Sequence, residues 1–383
     1  MFNEFIKFVR QLYQTEKFIP LHAPRFVGNE KKYLLETIDS TFVSSAGQSV
    51  EDFEQKIAST TSADYAISTV NGTAALHVAL IVIGVSHGDE VITQALTFVA
   101  TCNAIHYCGA DPVFVDVDKK TFGMSPDALS NYLEEHAEIR NGTAWNKTTG
   151  RRISACVPMH TFGHPVEINK IIEICNQYYI PVIEDAAESL GSTLNTKYTG
   201  TFGAIGVLSF NGNKIITTGG GGMILTDSKS LAHTAKHLTT TARLAHNWNY
   251  EHDEVGYNYR MPNLNAALGL AQLEQLSGFV DNKRILAEHY RDWCSANNVH
   301  FVMEPYAARS NYWLNALILN DANERDSFLN ATNSNGVMTR PAWKPMHQLE
   351  MYKDCHHGPL HNTEWVSERV VNIPSSVCEN LSK

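Results

Sequence analysis

The feature that most constrains the fold is a series of short apolar runs separated by helical patterns. Six runs follow this spacing: YAISTV (65–70), EVITQAL (90–96), DPVFVDV (111–117), SACVPMH (154–160), IPVIEDA (180–186) and IGVLSF (205–210). Such alternation predicts an α/β fold in which helices cover a mainly parallel sheet. A seventh run, GGMILTD (221–227), follows the sixth too closely for a helical crossover. We therefore expect one antiparallel neighbour in a mixed sheet.

The pattern changes after about residue 262. Two long helical stretches, 263–278 and 281–297, lead into NYWLNALILN, ERDSFLNAT and GVMTRPAW, which together indicate a smaller α+β domain. The predicted division of the 383 residues has three units: an extra N-terminal helix (1–17), a large α/β domain (18–262) and a small C-terminal domain (263–383). The polar segment 137–152 is predicted to be a surface excursion.

The N-terminal helix carries one apolar face, formed by Phe2, Phe5, Ile6, Val9, Leu12 and Tyr13. The segment lacks the continuous apolar stretch and the small-residue cleavage site of a signal peptide. Two readings remain open for it. The face either packs on the body or on a neighbouring subunit, or it lies at a membrane interface.

The charge balance limits the classes of partner. The chain has 30 Lys and Arg against 40 Asp and Glu, a formal charge of -10, which disfavours binding to nucleic acid or to an anionic membrane. The most apolar stretch, AALHVALIVIGV (74–85), is too short to span a membrane. The seven cysteines include no C-x-x-C pair, and their odd number fits reduced thiols, so we expect a cytoplasmic protein.

Ligands of open α/β sheets bind beyond the carboxyl ends of the strands. After the first predicted strand, Asn71, Gly72 and Thr73 begin a helix whose free amides could hold a phosphate. The same residue types are also typical of an ordinary helix cap without a ligand. Phe98 follows the second strand. Taken alone, a phenylalanine there belongs to the core by burial statistics.

Carboxylates and a lysine follow later strands. Glu184 and Asp185 end the fifth run, where a buried and unpaired charge would be costly, so a cationic group should meet one of them. After the sixth run come Ser209 and then Lys214, which stands between an Asn-Gly-Asn turn and the glycines 219–222. Alone, Lys214 would be read as a solvated surface lysine.

Together these features describe one cofactor. Pyridoxal phosphate requires a phosphate cradle, an aromatic side chain against its ring, a carboxylate for its pyridine nitrogen and a lysine for its aldehyde. All four occur in this order along the chain. Glycines near the lysine would let backbone pack close to the occupied site.

The chain resembles the DegT/StrS-type nucleotide-sugar aminotransferases, within the fold-type-I pyridoxal phosphate enzymes. The resemblance begins near Phe18 and extends into the C-terminal domain. The motifs that carry it are IPLHAP (19–24), NGTAALH (71–77), TFVATCNAI (97–105), HTFGHP (160–165), IEDAAES (183–189), SFNGNKIITTGGGG (209–222) and GYNYRM (256–261).

The resemblance implies roles for the residues singled out above. Lys214 would bind the cofactor aldehyde and move the proton between substrate and cofactor carbons, Asp185 would hold the pyridine nitrogen, and Phe98 would stack on the ring. Many relatives have Gln or His three positions after the aspartate. This chain has Glu188 there, and we count it among the cofactor-binding residues.

The resemblance also implies that two subunits share each site. The phosphate would be bound by Gly72, Thr73 and Ser209, joined by Asn258 of the second subunit of a homodimer. The extra helix before Phe18 lies outside the common pattern.

The activity implied is transfer of an amino group from L-glutamate to a nucleotide-linked keto sugar. Asn213 and the EDAAESLGS stretch resemble enzymes that aminate C4 of UDP-4-keto-6-deoxy-N-acetylglucosamine, in the bacillosamine or legionaminic acid pathways of bacterial surface glycans. One alternative is C3 amination of a dTDP-keto-deoxysugar. Dehydration is disfavoured because dehydratases of this family replace the lysine with histidine. A non-catalytic, cofactor-binding regulator would need a DNA-binding module for which the chain has no room.

Other ligand patterns are weaker. His160 and His164 have the spacing of a zinc pair, but Gly163 and Pro165 break the helix that such a pair needs. The cluster of Cys355, His356, His357 and His361 reads as a surface loop. The four glycines lack the G-x-G-x-x-G spacing of a dinucleotide loop. We therefore predict no metal site and no dinucleotide.

Overall fold

A computed structural model of the chain describes residues 2–379 and 381. The helices are α1 (Phe2–Tyr13), α2 (Glu30–Asp39), α3 (Gln48–Thr61), α4 (Gly72–Val82), α5 (Val99–Tyr107), α6 (Pro126–His136), α7 (Ile168–Gln177), α8 (Lys229–Thr239), α9 (Asn263–Leu273), α10 (Leu276–Ala296), α11 (Ala322–Ser334) and α12 (His361–Arg369). Short 3-10 turns lie at Thr161–Gly163, Met346–Gln348 and Glu350–Tyr352.

The strands are β1 (Tyr65–Thr69), β2 (Glu90–Gln94), β3 (Asp111–Val115), β4 (Ala137–Arg140), β5 (Thr143–Asn146), β6 (Ile153–Val157), β7 (Ile183–Asp185), β8 (Thr193–Leu194), β9 (Lys197–Tyr198), β10 (Ile205–Ser209), β11 (Gly222–Thr226), β12 (His300–Phe301), β13 (Ala308–Arg309), β14 (Asn315–Ile318), β15 (Arg340–Pro341) and β16 (Val370–Ile373). Each of the seven runs predicted from the sequence overlaps one of these strands.

The central sheet has the order β3-β2-β6-β7-β10-β11-β1. Its two parts, β3-β2-β6 and β1-β11-β10-β7, are joined by parallel bridges from Cys156 to Val182 and from Met159 to Asp185. Every neighbouring pair is parallel except those made by β11, which runs antiparallel to both β10 and β1. The predicted mixed, mostly parallel sheet is confirmed. Because the other strands run in one direction, their carboxyl ends meet at one edge of the sheet.

The most apolar stretch of the chain is part of the core. It forms α4, whose Ala75, Val78, Ala79 and Leu80 are buried against the sheet. Among the described residues, no helix combines the length and apolar character needed to cross a membrane.

The C-terminal part builds a second, smaller sheet in the antiparallel order β12-β14-β16-β15. Helix α1 belongs to the core of this part, because Phe5, Ile6 and Val9 pack with Tyr290 and Phe328. Its apolar face therefore meets the body of the protein. The ends of the predicted first and last units, residues 1, 380, 382 and 383, lie outside the described residues.

The polar segment 137–152 is more regular than its composition predicted. Strands β4 and β5 pair as an antiparallel hairpin. The two connecting residues, Asn141 and Gly142, have φ of 51° and 74°. Positive φ at both positions is the conformation of the tightest hairpin turn, which Asn-Gly adopts readily.

Candidate active site

The carboxyl ends of β1 and β10 form a tight corner. Asn71 caps α4 by accepting a hydrogen bond from the Ala74 amide at 2.8 Å. A Cβ atom at Gly72 would lie 3.0 Å from the Cβ of Ser209, so glycine lets the start of α4 approach the end of β10. The first amides of a helix lack acceptors within the helix. Gly72, Thr73 and the Ser209 hydroxyl therefore lie where an anion can be held.

Asp185 is a buried carboxylate at the end of β7, with 2% of its surface exposed. It accepts hydrogen bonds from the Thr101 hydroxyl at 2.7 Å and from the Ala187 amide at 3.2 Å, and both donors are neutral. Burial raises its pKa, while these bonds and the charge of Lys214 oppose the rise. No cation contacts this carboxylate among the described residues, so a bound pyridinium would supply the positive charge that a buried carboxylate needs.

The neighbouring Glu184 is satisfied by the protein itself. It accepts hydrogen bonds from the amides of Gly200, Phe202 and Gly203 at 2.9, 2.6 and 2.7 Å. Its remaining contact is with Nε2 of His160 at 2.9 Å. The His160 ring is therefore engaged with Glu184 in the core, and the expected cationic partner of the pair remains a prediction.

Lys214 is covered rather than solvated, with 11% of its side chain exposed. Its Nζ lies 3.3 Å from a carboxylate oxygen of Glu188 and 4.1 Å from the ring centre of Trp313. The indole of Trp313 also donates a hydrogen bond to the Asn213 carbonyl at 2.7 Å. Trp313 thus fixes the turn that presents the lysine and shields its amine from water.

Glu188 is buried between this lysine and the 3-10 turn at Thr161–Gly163. Its second oxygen accepts a hydrogen bond from the Phe162 amide at 2.9 Å. Burial raises the pKa of Glu188 to about 7, although the Lys214 charge and the Phe162 bond oppose the rise. The side chain can therefore gain or lose a proton near neutral pH while it contacts the lysine.

This raised pKa predicts a pH dependence of stability for the cofactor-free protein. A carboxyl whose folded pKa lies above its unfolded value stabilises the fold at low pH, and that stabilisation is lost as the pH rises through the folded pKa. Between pH 5 and 8, the unfolding free energy of the wild type should fall by about 2 to 3 kcal/mol relative to that of Glu188→Gln, which has no carboxyl to ionise at this position. Urea unfolding of both proteins across this range measures the difference. Parallel curves would contradict the placement of an ionising Glu188 in the core.

Phe98 and Asn258 lie at the surface of the isolated chain. Phe98 precedes α5 and is 50% exposed, with its ring 6.4 Å from that of Trp343. The core position that burial statistics favour is therefore wrong for Phe98. Asn258 is exposed and accepts a hydrogen bond from Arg260 at 2.9 Å. Its neighbour Tyr259 accepts one from the Val70 amide at 2.7 Å, which holds this segment beside the end of β1.

Sequence reasoning missed two contacts of the site. Trp313 comes from the C-terminal part of the chain, and nothing in its local sequence marks it. Thr101, which donates a hydrogen bond to Asp185, has a weak signal in the sequence, because it lies four residues after another threonine, Thr97. The two hydroxyls are 2.9 Å apart. Thr97 precedes α5 and Thr101 lies in its first turn, so the two polar side chains meet at the start of an apolar helix.

The Cys355–His361 cluster does not converge on one point. His356 lies 2.7 Å from the Tyr132 hydroxyl through Nδ1, and His361 begins α12. His164, the other half of the rejected zinc pair, packs edge-on against Tyr312 with ring centres 5.2 Å apart.

Residues 24–380 match the DegT/DnrJ/EryC1/StrS aminotransferase family. GDP-perosamine synthase of Escherichia coli O157:H7 is 38% identical over 365 residues, which are 94% of this chain and 93% of that protein. EpsN of Bacillus subtilis (strain 168), whose name assigns it to the pyridoxal phosphate-dependent aminotransferases, is 36% identical over 370 residues, covering 96% and 89%. The crystal structure of the aminotransferase TlmJ from Streptoalloteichus hindustanus is similar with a TM-score of 0.85 and 28% identity, covering 96% and 95%.

Proposed function

Because this chain belongs to the DegT/DnrJ/EryC1/StrS aminotransferase family and is a pyridoxal phosphate-dependent aminotransferase, we propose that it moves an amino group from L-glutamate to a nucleotide-linked keto sugar. The observation that carries the site assignment is the pairing of two features at one sheet edge. The shielded Lys214 contacts the carboxyl of Glu188, and the buried carboxylate of Asp185 accepts hydrogen bonds from two neutral donors.

The described residues fit the cofactor. When bound, pyridoxal phosphate supplies an aldehyde that takes up amino groups and a pyridinium ring that withdraws electrons from the reacting carbon. Asp185 would hold the ring nitrogen in its protonated form, because no cation contacts its buried carboxylate in the part of the chain that the structure describes. The phosphate would be bound by Gly72, Thr73 and Ser209 at the corner of β1 and β10.

Lys214 would anchor the cofactor and move the proton at the reacting carbon. A general base works best when its pKa lies near the operating pH. Glu188 is 3.3 Å from the amine and titrates near 7, so it can take or return a proton as the lysine changes state. Trp313 keeps water from this exchange by covering the amine, and Phe98 would cover the exposed side of the ring.

The substrate assignment rests on the relatives and on the motifs. A GDP-linked amino sugar is the product we propose first, since the similar E. coli protein is named GDP-perosamine synthase. The second candidate is C4 amination of UDP-4-keto-6-deoxy-N-acetylglucosamine, which Asn213 and EDAAESLGS favour by resemblance. C3 amination of a dTDP-keto-deoxysugar ranks below both.

Mass spectrometry of a substrate panel tests this function. The purified enzyme, loaded with cofactor and supplied with L-glutamate, should convert the keto precursor of GDP-perosamine or the UDP-linked keto sugar to its amine. Formation of 2-oxoglutarate in equal amount would identify the donor. Turnover of glutamate with a simple keto acid, and of no nucleotide sugar in the panel, would contradict the proposal.

We further propose a homodimer in which Asn258 reaches the cofactor phosphate of the partner subunit. The exposure of Asn258 supports this, because its side chain is accessible in the isolated chain and could reach a cofactor phosphate in a second copy. The same segment exposes large apolar side chains, namely Trp248, Tyr250 and Val255. Such residues would be covered in a subunit interface.

The shared site predicts complementation between two defective variants. Asn258→Ala should mainly weaken cofactor retention, by about 10- to 100-fold, because a hydrogen bond to a charged phosphate is lost. A mixed dimer of Lys214→Ala and Asn258→Ala would hold one site with both changes and one with neither. Dimers carrying two different tags, purified on both, should therefore recover substantial activity at limiting cofactor. Activity no higher than the mean of the two parents would contradict the shared site.

A further inference from the structure

Asn311 is a fully buried side chain in the loop between β13 and β14, and the mechanism above does not use it. Its Nδ2 donates hydrogen bonds to the carbonyls of Glu188 at 3.0 Å and Leu190 at 2.9 Å. Its Oδ1 accepts one from the Trp313 amide at 2.8 Å. A carbonyl only accepts and a backbone amide only donates, so a single orientation of the side chain satisfies all three bonds.

Two of these partners are the residues that contact the proposed cofactor lysine. A carboxylate oxygen of Glu188 lies 3.3 Å from Nζ of Lys214, and the ring centre of Trp313 lies 4.1 Å from the same atom. The two residues come from distant parts of the chain, because Glu188 follows β7 and Trp313 precedes β14. One buried side chain, that of Asn311, is hydrogen-bonded to the backbone of both.

The loop that carries Trp313 depends on Asn311 for its conformation. Tyr312, which lies between the two, has a φ of 45°, in the left-handed region that bulky residues seldom adopt. The bond from the Trp313 amide to Oδ1 of Asn311 spans this residue. Asparagine side chains stabilise turns in this way, by binding the backbone two positions on. The direction in which the indole leaves the loop is therefore set partly by Asn311.

The turn that binds the Glu188 carboxyl also packs on Asn311. A Cβ atom at Gly163 would collide with Oδ1 of Asn311, so glycine is what allows this approach. The Ser192 hydroxyl joins the two segments, because it accepts a hydrogen bond from the Asn311 amide at 2.8 Å and donates one to the Gly163 carbonyl at 2.7 Å. The Phe162 amide, which donates to the Glu188 carboxyl, is thus held by the same packing.

We propose that Asn311 is a positioning residue for transamination, because it holds Glu188 and Trp313 in place against the amine of Lys214. This inference rests on the proposed function. Asn311 acts through its neighbours, since its side-chain bonds go to backbone groups and not to the reacting atoms. Without these bonds, the carboxyl that exchanges protons with the lysine and the ring that shields it should both move more freely.

Acyl labelling of amines tests this in the full-length chain without cofactor. A shielded amine reacts only when its surroundings open, so the labelling rate of Lys214, measured by mass spectrometry against the exposed Lys197, reports on its cover. Asn311→Ala removes all three side-chain bonds and should raise this relative rate by about 10-fold. Asn311→Ser keeps a hydroxyl that can accept from the Trp313 amide, so its increase should be smaller.

The cofactor-loaded enzyme gives a second readout. Asn311→Ala should lower kcat by about 10-fold and leave KM within about twofold, because the proton exchange at the lysine is less well positioned. Cofactor content should stay at the wild-type level, since the phosphate corner and the contacts of Asp185 are built from other residues.

Asn146 provides the matched control, because it is a fully buried asparagine with the same kinds of bonds at the end of β5. Its Nδ2 donates to Glu90 at 2.8 Å and to the Tyr132 hydroxyl at 3.1 Å, and its Oδ1 accepts from the Thr148 amide at 2.9 Å. Asn146→Ala should lower the melting temperature by a similar amount, yet leave the Lys214 labelling rate and kcat within about twofold of the wild type.

An unchanged Lys214 labelling rate in folded Asn311→Ala would overturn the inference. An equal rise in Asn146→Ala would overturn it too, because a general loss of stability would then explain the effect. If the alanine variant does not fold, Asn311→Ser decides by the same comparison, and wild-type labelling and kcat in that variant would contradict the role. A wild type that aminates no nucleotide sugar would instead contradict the proposed function, and the labelling result would stand apart from it.

Discussion

Replacing Lys214 with alanine should abolish transamination, with kcat lower by at least about 10⁴-fold, because we propose this residue as both the covalent anchor of the cofactor and the group that moves the proton. The fold should survive. Removing the ammonium leaves Glu188 buried, but the pKa of that carboxyl is already raised to about 7, so it can become neutral. Steady-state kinetics with saturating cofactor and circular dichroism of the same preparation check both statements.

Two further variants sharpen this result. Lys214→Arg keeps a positive charge beside Glu188 but cannot anchor the aldehyde, so it should be as inactive as Lys214→Ala. Lys197→Ala removes an exposed lysine of β9 that contacts the ring of Phe202 and should retain wild-type kcat. A Lys214→Arg variant with more than about a tenth of the wild-type kcat would show that charge, not covalent attachment, is the role of this residue.

Asp185→Asn should lower kcat by about 10²-fold or more while KM changes little, because the shape of the side chain is kept and the charge that we propose to hold the ring nitrogen protonated is lost. The Thr101 hydroxyl and the Ala187 amide can still contact the substituted side chain, so the local structure should remain. Full kinetic curves for both substrates, with cofactor content measured in each preparation, separate a loss of kcat from a loss of cofactor.

Glu184→Gln is the control for Asp185→Asn. The two carboxylates are adjacent and equally buried, but Glu184 is bound by three backbone amides and by His160. Its amide cannot accept all of these bonds, so the variant should melt at a lower temperature yet keep most of its kcat while folded. If Glu184→Gln lost kcat and Asp185→Asn kept it, the assignment of the ring-nitrogen partner would be reversed.

Much of the site was predictable because it follows strand ends. The alternation of apolar runs indicates where strands stop, and parallel strands bring those ends to one edge. Asp185 and Lys214 were found in this way, although they are 29 positions apart. The turn at Asn141 could also have been read as a hairpin, since Asn-Gly between two short strands favours that geometry.

The remaining contacts depend on packing between distant segments. Trp313 covers Lys214 from a loop that precedes β14. Trp313 belongs to no periodic pattern and to no strand end. The half-exposure of Phe98 was also missed, because burial statistics describe residue types and not individual positions.

Reductive trapping tests the central claim most directly. Borohydride reduces the carbon–nitrogen double bond that joins a lysine to pyridoxal phosphate, and trypsin does not cleave after a modified lysine. The treated enzyme should therefore yield peptide 198–229 intact, carrying the cofactor on Lys214, whereas untreated enzyme is cut after that residue. Lys283, the other buried lysine near the site, should be unmodified because its amine is committed to two backbone carbonyls. A cofactor adduct on Lys283 or on any lysine other than Lys214 would contradict the account.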